Sequence, residues 1–197
     1  MSYRGKPIIG IVGGIGSGKS FVARLLGELG CAVIDSDAVA HAVYAEPDVI
    51  AKLVGWYGPD VLNKYGVVDR TIIAHDIFRD AAHRRRLESR IHPRIHAERA
   101  REMAARVTDP KVKAFVWDSP LLIEAALHTQ CDVVIYVDVP YEERLRRVRE
   151  SRGWDAAELD RREASQRPLE EKRQLATTVV NGEASVEDLR ESLRRIL

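Results

Sequence analysis

A strongly apolar run near the amino terminus leads directly into a glycine-rich loop. The run is Ile8 to Val12, and the loop reads Gly13-Gly14-Ile15-Gly16-Ser17-Gly18-Lys19-Ser20. An apolar strand, then G-x-x-x-x-G-K-S, then a helix is the pattern of a phosphate-binding P-loop. It constrains the fold because it requires a buried strand that delivers the loop to the amino end of a helix.

The residue types of this loop suit a nucleoside triphosphate. Glycines let backbone N–H groups approach phosphate oxygens without obstruction by a Cβ. The helix that starts near Gly18 adds the positive end of its dipole, and Lys19 can reach the β- and γ-phosphates. The Ser20 hydroxyl suits one coordination position of Mg²⁺, and Phe21 contributes its N–H to the α-phosphate. The predicted triphosphate-binding residues are Gly14, Ile15, Gly16, Ser17, Gly18, Lys19, Ser20 and Phe21.

Composition narrows the class of partner. The charges nearly cancel, with 31 lysines and arginines against 30 aspartates and glutamates in 197 residues. The whole molecule therefore has no field that favours nucleic acid or an anionic membrane. No apolar stretch approaches the ~18 residues of a membrane span, and the amino terminus has no signal-type apolar region. We expect a cytoplasmic enzyme, a monomer or weak homo-oligomer, whose partners are small molecules and neither nucleic acid nor a membrane.

Short apolar runs alternate with helical patterns along the chain. The strand candidates are Ile8–Val12, Ala32–Asp35, Val112–Asp118, Val133–Asp138 and Thr177–Asn181. All but the last are almost continuously apolar, and three of these four end in an aspartate, as in parallel strands that are covered on both faces. A helix is predicted over Ser20–Leu29, with Gly30 as its stop. We predict an α/β, three-layer P-loop NTPase fold with a five-stranded parallel sheet in the order 2-3-1-4-5.

Two long excursions interrupt this core. The segment between the second and third strand candidates exceeds an ordinary crossover and reads as helices, and Pro93 is taken as a helix start. The predicted division is a nucleotide-binding core (1–36, 111–140 and 176–197), a helical substrate-binding subdomain (37–110) and a lid (141–175). The lid is rich in arginine, which chelates phosphate in a bidentate manner. The alternative for these arginines is a solvated helical face paired with glutamates.

Acidic residues stand at the ends of two strand candidates. Asp35 and Asp37 follow the second strand, where one of them could accept a proton from an attacking hydroxyl, and Asp37 is favoured. A helix N-cap would also explain Asp37. Asp118 ends the third strand candidate as a Walker-B acid would, with contact to substrate or, through water, to Mg²⁺. Ser119-Pro120 follow it, so a turn or cap role is equally compatible.

Taken in order, these motifs resemble the dephospho-coenzyme A kinase family of P-loop kinases. Beyond the loop, the likeness rests on segments that keep the family's order and extend to the last strand candidate. They are Val33-Ile34-Asp35-Ser36-Asp37-Ala38-Val39-Ala40-His41, Asp69-Arg70 with Ile77-Phe78, Ile91-His92-Pro93, Asp118-Ser119-Pro120-Leu121-Leu122-Ile123-Glu124, Val137-Asp138-Val139, Arg162 before Gln166, and Ala176 before Val179-Val180-Asn181.

The resemblance implies an enzyme that moves the γ-phosphoryl of ATP, with Mg²⁺, to the ribose 3′-hydroxyl of dephospho-CoA, the last step of coenzyme A biosynthesis. Residues 37–110 would bind the acceptor. The catalytic residues it implies are Asp37 as the base, Lys19 and Arg147. ATP would also contact Arg152 and Asn181. The implied acceptor-binding residues are Asp35, Asp37, His92, Asp118 and Leu121.

Three positions depart from the family's pattern. Phe21 stands where threonine is common, and Thr177 and Gly182 stand where aspartate and asparagine are usual. Two rival functions share the loop. Another P-loop small-molecule or nucleoside monophosphate kinase would also have the inserted domain and the lid. A nucleotide-operated switch would need an N-K-x-D-type element, and Asn63-Lys64-Tyr65-Gly66 lacks its aspartate.

Overall fold

The computed structural model describes residues 2–69, 72–73, 76 and 81–197, with only the backbone at residues 81, 82, 84, 88 and 92. Arg70, Ile77, Phe78 and the side chain of His92, all part of the motifs above, lie outside the described residues. The chain forms two compact units. One comprises Met1–Asp35 and Met103–Leu197, and the other comprises Ser36–Glu102.

A parallel five-stranded sheet organises the first unit. Its strands are β1 (Ile8–Val12), β2 (Ala32–Asp35), β3 (Phe115–Asp118), β4 (Val133–Asp138) and β5 (Thr178–Asn181). Their order in the sheet is β2-β3-β1-β4-β5, and each neighbouring pair is parallel. This is the predicted order. All of β1 is buried, as expected for a central strand covered on both faces.

Helices follow most strands. They are α1 (Lys19–Glu28), α2 (Ser36–Tyr44), α3 (Pro47–Tyr57), α4 (Ala81–Arg106), α5 (Tyr141–Arg152), α6 (Ala156–Glu163), α7 (Leu169–Gln174) and α8 (Val186–Arg194), with short 3₁₀ turns at Pro59–Val61 and Leu127–Gln130. The apolar stripes of α1 and α8 pack with the sheet in one core that includes Leu26, Ile135 and Leu193. Among the described residues, no helix combines the length and the apolar character needed to cross a membrane.

Helix α1 and strand β5 differ from the sequence predictions by one residue at one or both ends, and two boundaries differ by more. Strand β3 begins at Phe115 and not at Val112, because the Val112 N–H closes a turn onto the Asp109 carbonyl oxygen at 3.1 Å. Pro93 was predicted to start a helix, and this was wrong, since it lies inside α4. The arginines, glutamates and alanines around it are strong helix formers, so the helix continues through the proline. At Gly30, the predicted stop of α1, φ is +98°.

The second unit has a core of its own. Helices α2, α3 and α4 contribute buried aliphatic residues that include Val43, Leu53 and Ile91. A cavity of about 230 Å³ opens in this unit. Its lining residues are His41, Tyr44, Ala45, Ile50, Gly66, Val67 and Val68.

Candidate nucleotide-binding site

The glycine-rich loop leaves β1 and ends at the head of α1. Helix α1 begins at Lys19, and Gly16 and Gly18 have φ values of 80° and 89°, in the left-handed region that favours glycine. A Cβ on Gly16 would also lie 2.8 Å from the carbonyl oxygen of Arg144. The loop therefore needs its glycines, and it surrounds a helix amino terminus as phosphate-binding loops do.

Lys19 folds back onto the loop. Its Nζ donates to the carbonyl oxygens of Gly13 and Gly14, at 3.0 and 2.8 Å. Burial of the amine, together with the nearby charge of Lys172, lowers the pKa of Lys19 to about 8, although the negative charges of Asp118 and Glu163 oppose the shift. An ammonium held in this way would be stabilised by the negative charge of a triphosphate.

We expect ATP affinity to fall as the pH rises above about 8. The free protein loses the Lys19 proton near pH 8, whereas bound triphosphate raises the pKa of this lysine. Below that pH Lys19 is charged in both the free and the ATP-bound protein. Above it, binding takes up a proton, and affinity falls by up to about tenfold per pH unit. Calorimetry near pH 9 in two buffers of different ionisation enthalpy measures this uptake. Persistent uptake in Lys19→Met would contradict the assignment.

Acidic side chains end two neighbouring strands. Asp35 of β2 stands opposite Asp118 of β3 in the parallel register. Asp118 is half-buried, and its charge acts to raise the pKa of Lys19. Leu121, in the turn after β3, is exposed. In the second unit, Asp37 is exposed in the first turn of α2.

The hydroxyl of Ser20 is a suitable oxygen ligand for Mg²⁺. Ser20 is exposed in the first turn of α1, beside Lys19. Within the described part of the chain, no three His, Cys, Asp or Glu side chains come together as a metal cage. Mg²⁺ in nucleotide sites is usually held by one or two protein groups, phosphate oxygens and water. The exposed Ser20 hydroxyl supplies one such protein group.

A cavity of about 350 Å³ adjoins the loop. Arg147 of α5 crosses it, because its Nη2 donates to the Gly182 carbonyl oxygen at 3.0 Å and its Nη1 to that of Ser17 at 3.4 Å. Glu143 fixes the same guanidinium through Nε at 2.7 Å. The lining residues are Ser17, Gly18, Phe21, Val22, Val137, Arg147, Gly182, Ala184 and Leu189.

The wall of the cavity after β5 is tightly packed at Gly182. A Cβ there would lie 2.4 Å from Val139 Cγ2 and 2.9 Å from Val137 Cγ1. A larger residue at this position would therefore displace the loop. Asn181 is exposed, and its Oδ1 accepts the Glu183 N–H at 2.9 Å.

Gly182→Ala should reduce both stability and ATP affinity. The added methyl must push Val139 or the loop away, which costs about 1–3 kcal/mol of unfolding free energy and shifts the carbonyl that holds Arg147. Urea unfolding and calorimetric titration with ATP measure the two effects. Gly55→Ala is the matched control, since a Cβ on Gly55 meets open space and helix propensity favours alanine by up to about 1 kcal/mol. Unchanged stability in Gly182→Ala would contradict the packing argument.

Most other arginines of residues 141–175 lie in surface ion pairs. Arg146 contacts Glu143 and Glu150, while Arg161 and Arg162 share Glu158. This matches the solvated-face alternative considered from the sequence. Arg152 is exposed, with its guanidinium 4.7 Å from the centre of the Trp154 ring, and Arg162 lies 4.1 Å from the same ring.

Sequence reasoning missed the buried charged residues beside the loop. Arg144 and Lys172 are 3% and 2% exposed. Lys172 Nζ contacts Glu124 Oε1 at 2.9 Å and Gln166 Oε1 at 2.7 Å. For Arg144 a signal existed, because it falls between Tyr141 and Val148 on the helical stripe that faces the core. No such periodicity marks Lys172.

The comparisons with known proteins agree with one another. The family model of dephospho-CoA kinase matches residues 7–188. A dephospho-CoA kinase of Corynebacterium glutamicum is 39% identical over 191 residues, covering 96% of this chain and 97% of that protein. A solved structure from Thermus thermophilus is 34% identical, with a TM-score of 0.81 over 97% of this chain and 96% of its own. A dephospho-CoA kinase from Campylobacter jejuni shares the fold, at 24% identity and a TM-score of 0.66 over 97% and 95% of the chains. The chain therefore belongs to the dephospho-CoA kinase family.

Proposed function

We propose that this chain transfers the γ-phosphoryl of ATP to the ribose 3′-hydroxyl of dephospho-CoA, giving coenzyme A and ADP. Members of its family are ATP-dependent kinases that phosphorylate an alcohol group. The observation that carries the proposal is the P-loop with Lys19 at the head of α1, next to the cavity that Arg147 crosses.

On this proposal the loop residues hold the triphosphate. Backbone N–H groups of the loop between Gly14 and Phe21 surround the phosphates, apart from that of Ile15, which donates to Glu163. Lys19 leaves its carbonyl partners to contact the β- and γ-oxygens. Ser20, with Asp118 through water, would hold Mg²⁺, which supplies charge neutralisation at the phosphates when it is bound. The ammonium stabilises the charge that develops during transfer.

Arg147, Gly182 and the neighbouring Asn181 are assigned to the part of ATP that carries the adenine. Phosphoryl transfer requires mainly positioning and charge stabilisation. Arg147 already reaches the loop and the end of β5, so its charge can act on the nucleotide without a large movement. Arg152 contacts ATP when residues 141–175 close as a lid, and closure keeps water from competing for the phosphoryl group.

The acceptor is assigned to residues 37–110. The cavity of this segment has the apolar side chains of Ile50 and Val68 in its lining, which suits the pantetheine arm. His92, Asp35, Asp118 and Leu121 contact the acceptor in this proposal. Asp37 orients the 3′-hydroxyl and takes its proton as the γ-phosphoryl is transferred.

An acceptor panel tests the proposal. Purified protein with ATP and Mg²⁺ is offered dephospho-CoA, AMP, CMP or shikimate, and ADP release is measured for each. We expect kcat/KM for dephospho-CoA to exceed that for every other acceptor by at least about 10³-fold, because a site that hydrogen-bonds one acceptor leaves polar groups unpaired with another. Preference for a nucleoside monophosphate would contradict the proposal and indicate a different P-loop kinase.

A further inference from the structure

An ion pair between the buried Arg144 and the partly buried Glu163 holds the backbone of Ile15 in the phosphate-binding loop. Glu163 Oε1 accepts the Ile15 N–H at 2.9 Å. The same carboxylate oxygen pairs with Arg144 Nη1, which also donates to the Ile15 carbonyl oxygen at 3.2 Å. Both polar atoms of Ile15 are therefore fixed by two side chains that follow it by more than a hundred residues in the chain.

Arg144 is itself rigidly placed. It is 3% exposed, and its Nε donates to the Val139 carbonyl oxygen at 3.2 Å. A Cβ on Gly14 would lie 2.7 Å from its Cζ, so the guanidinium packs directly against the loop backbone. The loop can therefore not shift toward α5 without displacing a buried charge.

Glu163 stands where local helix energetics disfavour it. It is the last residue of α6, where the partial negative charge of the helix end repels a carboxylate. A residue that destabilises its own helix locally is expected to make a stabilising or functional contact elsewhere in the molecule. Its contacts with Ile15 and Arg144 are such a gain, and both involve the loop.

Helix α6 is also tied to α5 at a second point. Tyr141 OH donates to Asp160 Oδ1 at 2.8 Å. Arg144 and Glu163 therefore belong to two helices that a second hydrogen bond also holds together.

We propose that Arg144 and Glu163 are positioning residues that hold the phosphate-binding loop through Ile15 in the shape that receives ATP. They act on the reaction through the loop, because Glu163 Oε1 and Arg144 Nη1 contact Ile15 and one another. The inference rests on the proposed function, since it assumes that this loop binds ATP.

The test replaces both charges together. Removing one partner would leave a buried charge without compensation, whereas apolar residues of similar size often replace a buried pair without loss of stability. The double variant Arg144→Met/Glu163→Met should keep the melting temperature within a few degrees of the wild type. Its Kd for ATP should rise at least about tenfold and its kcat should fall, because loop groups misplaced by less than 1 Å still lose rate. The KM for dephospho-CoA should stay within about twofold.

A matched control removes the exposed pair between α8 and α1. Arg190 Nη2 lies 2.6 Å from Glu28 Oε2, so Arg190→Met/Glu28→Met changes the same charges away from the loop and should bind ATP as the wild type does. A double variant at Arg144 and Glu163 that folds and binds ATP with unchanged Kd would overturn the inference. Wild-type protein without ATP binding would instead overturn the proposed function.

Single variants decide the question if the double variant does not fold. Glu163→Gln keeps an oxygen for the Ile15 N–H, and Glu163→Ala removes it. At a temperature where both are folded, we expect the Kd for ATP to rise at least about tenfold in Glu163→Ala and less than about threefold in Glu163→Gln. If both variants bound ATP with wild-type affinity, Arg144 and Glu163 would have a structural role only, and the inference would be wrong.

Discussion

Lys19→Ala should lower kcat/KM for phosphoryl transfer by at least about 10³-fold, the scale found when a preorganised charge-stabilising donor is removed. The physical reason is that Lys19 Nζ lies within 3.0 Å of the loop carbonyls of Gly13 and Gly14, in the loop to which the proposed function assigns the triphosphate. A coupled assay of ADP release with saturating dephospho-CoA measures the loss.

Lys111→Ala provides the matched control for this variant. Lys111 is an exposed lysine of the same unit, and its removal changes the net charge equally. Turnover in this control should equal that of the wild type. If Lys19→Ala retained a tenth or more of the wild-type kcat/KM, the assignment of Lys19 as the main charge-stabilising group would be contradicted.

Asp37→Asn is the second variant with a large expected effect. A side chain that accepts the acceptor proton contributes typically about 10²–10⁴-fold, so kcat should fall within that range while the Kd for ATP changes less than about twofold. The substitution keeps the size of the side chain and removes its charge. Rapid-quench measurement of coenzyme A formation, together with calorimetric titration of ATP, separates the two quantities.

The structure limits the alternative role of Asp37. Because α2 begins at Ser36, Asp37 already lies inside the first turn and not before it. Its carboxylate there interacts favourably with the helix dipole, an effect of about 0.3–1 kcal/mol. Asp60→Asn, at another exposed aspartate of the second unit, should leave kcat unchanged. Equal turnover in the Asp37 and Asp60 variants would remove Asp37 from the mechanism.

The sheet could be predicted from the sequence because its strands are short apolar runs with polar ends. Val133–Asp138 shows this pattern, Ile8–Val12 is an apolar run that leads into Gly13, and the structure gives both the same limits. The order of strands followed from the P-loop fold class. The start of β3 could not be predicted, since Val112 is as apolar as the strand itself and only its turn onto Asp109 excludes it.

The candidate site likewise has one part that the sequence predicts and one part that it does not. The loop from Gly13 to Ser20 is contiguous, so its glycines and lysine carry a local signal that the sequence shows directly. The pairing of Ile15 with Glu163 joins residues far apart in the chain, and charge patterning along α6 gives no indication of it. Gly182 was noted only as a departure from a family pattern. Its packing against Val139 supplies the physical reason.

The most direct test of the central claim is the position of the phosphoryl group in the product. Dephospho-CoA is incubated with ATP, Mg²⁺ and the purified protein, and the product is analysed by mass spectrometry and ³¹P NMR. We expect one added phosphoryl group as a ribose 3′-phosphate monoester, with one ADP released for each coenzyme A. Hydrolysis of ATP with the acceptor unchanged, or a phosphoryl group on another hydroxyl, would contradict the account.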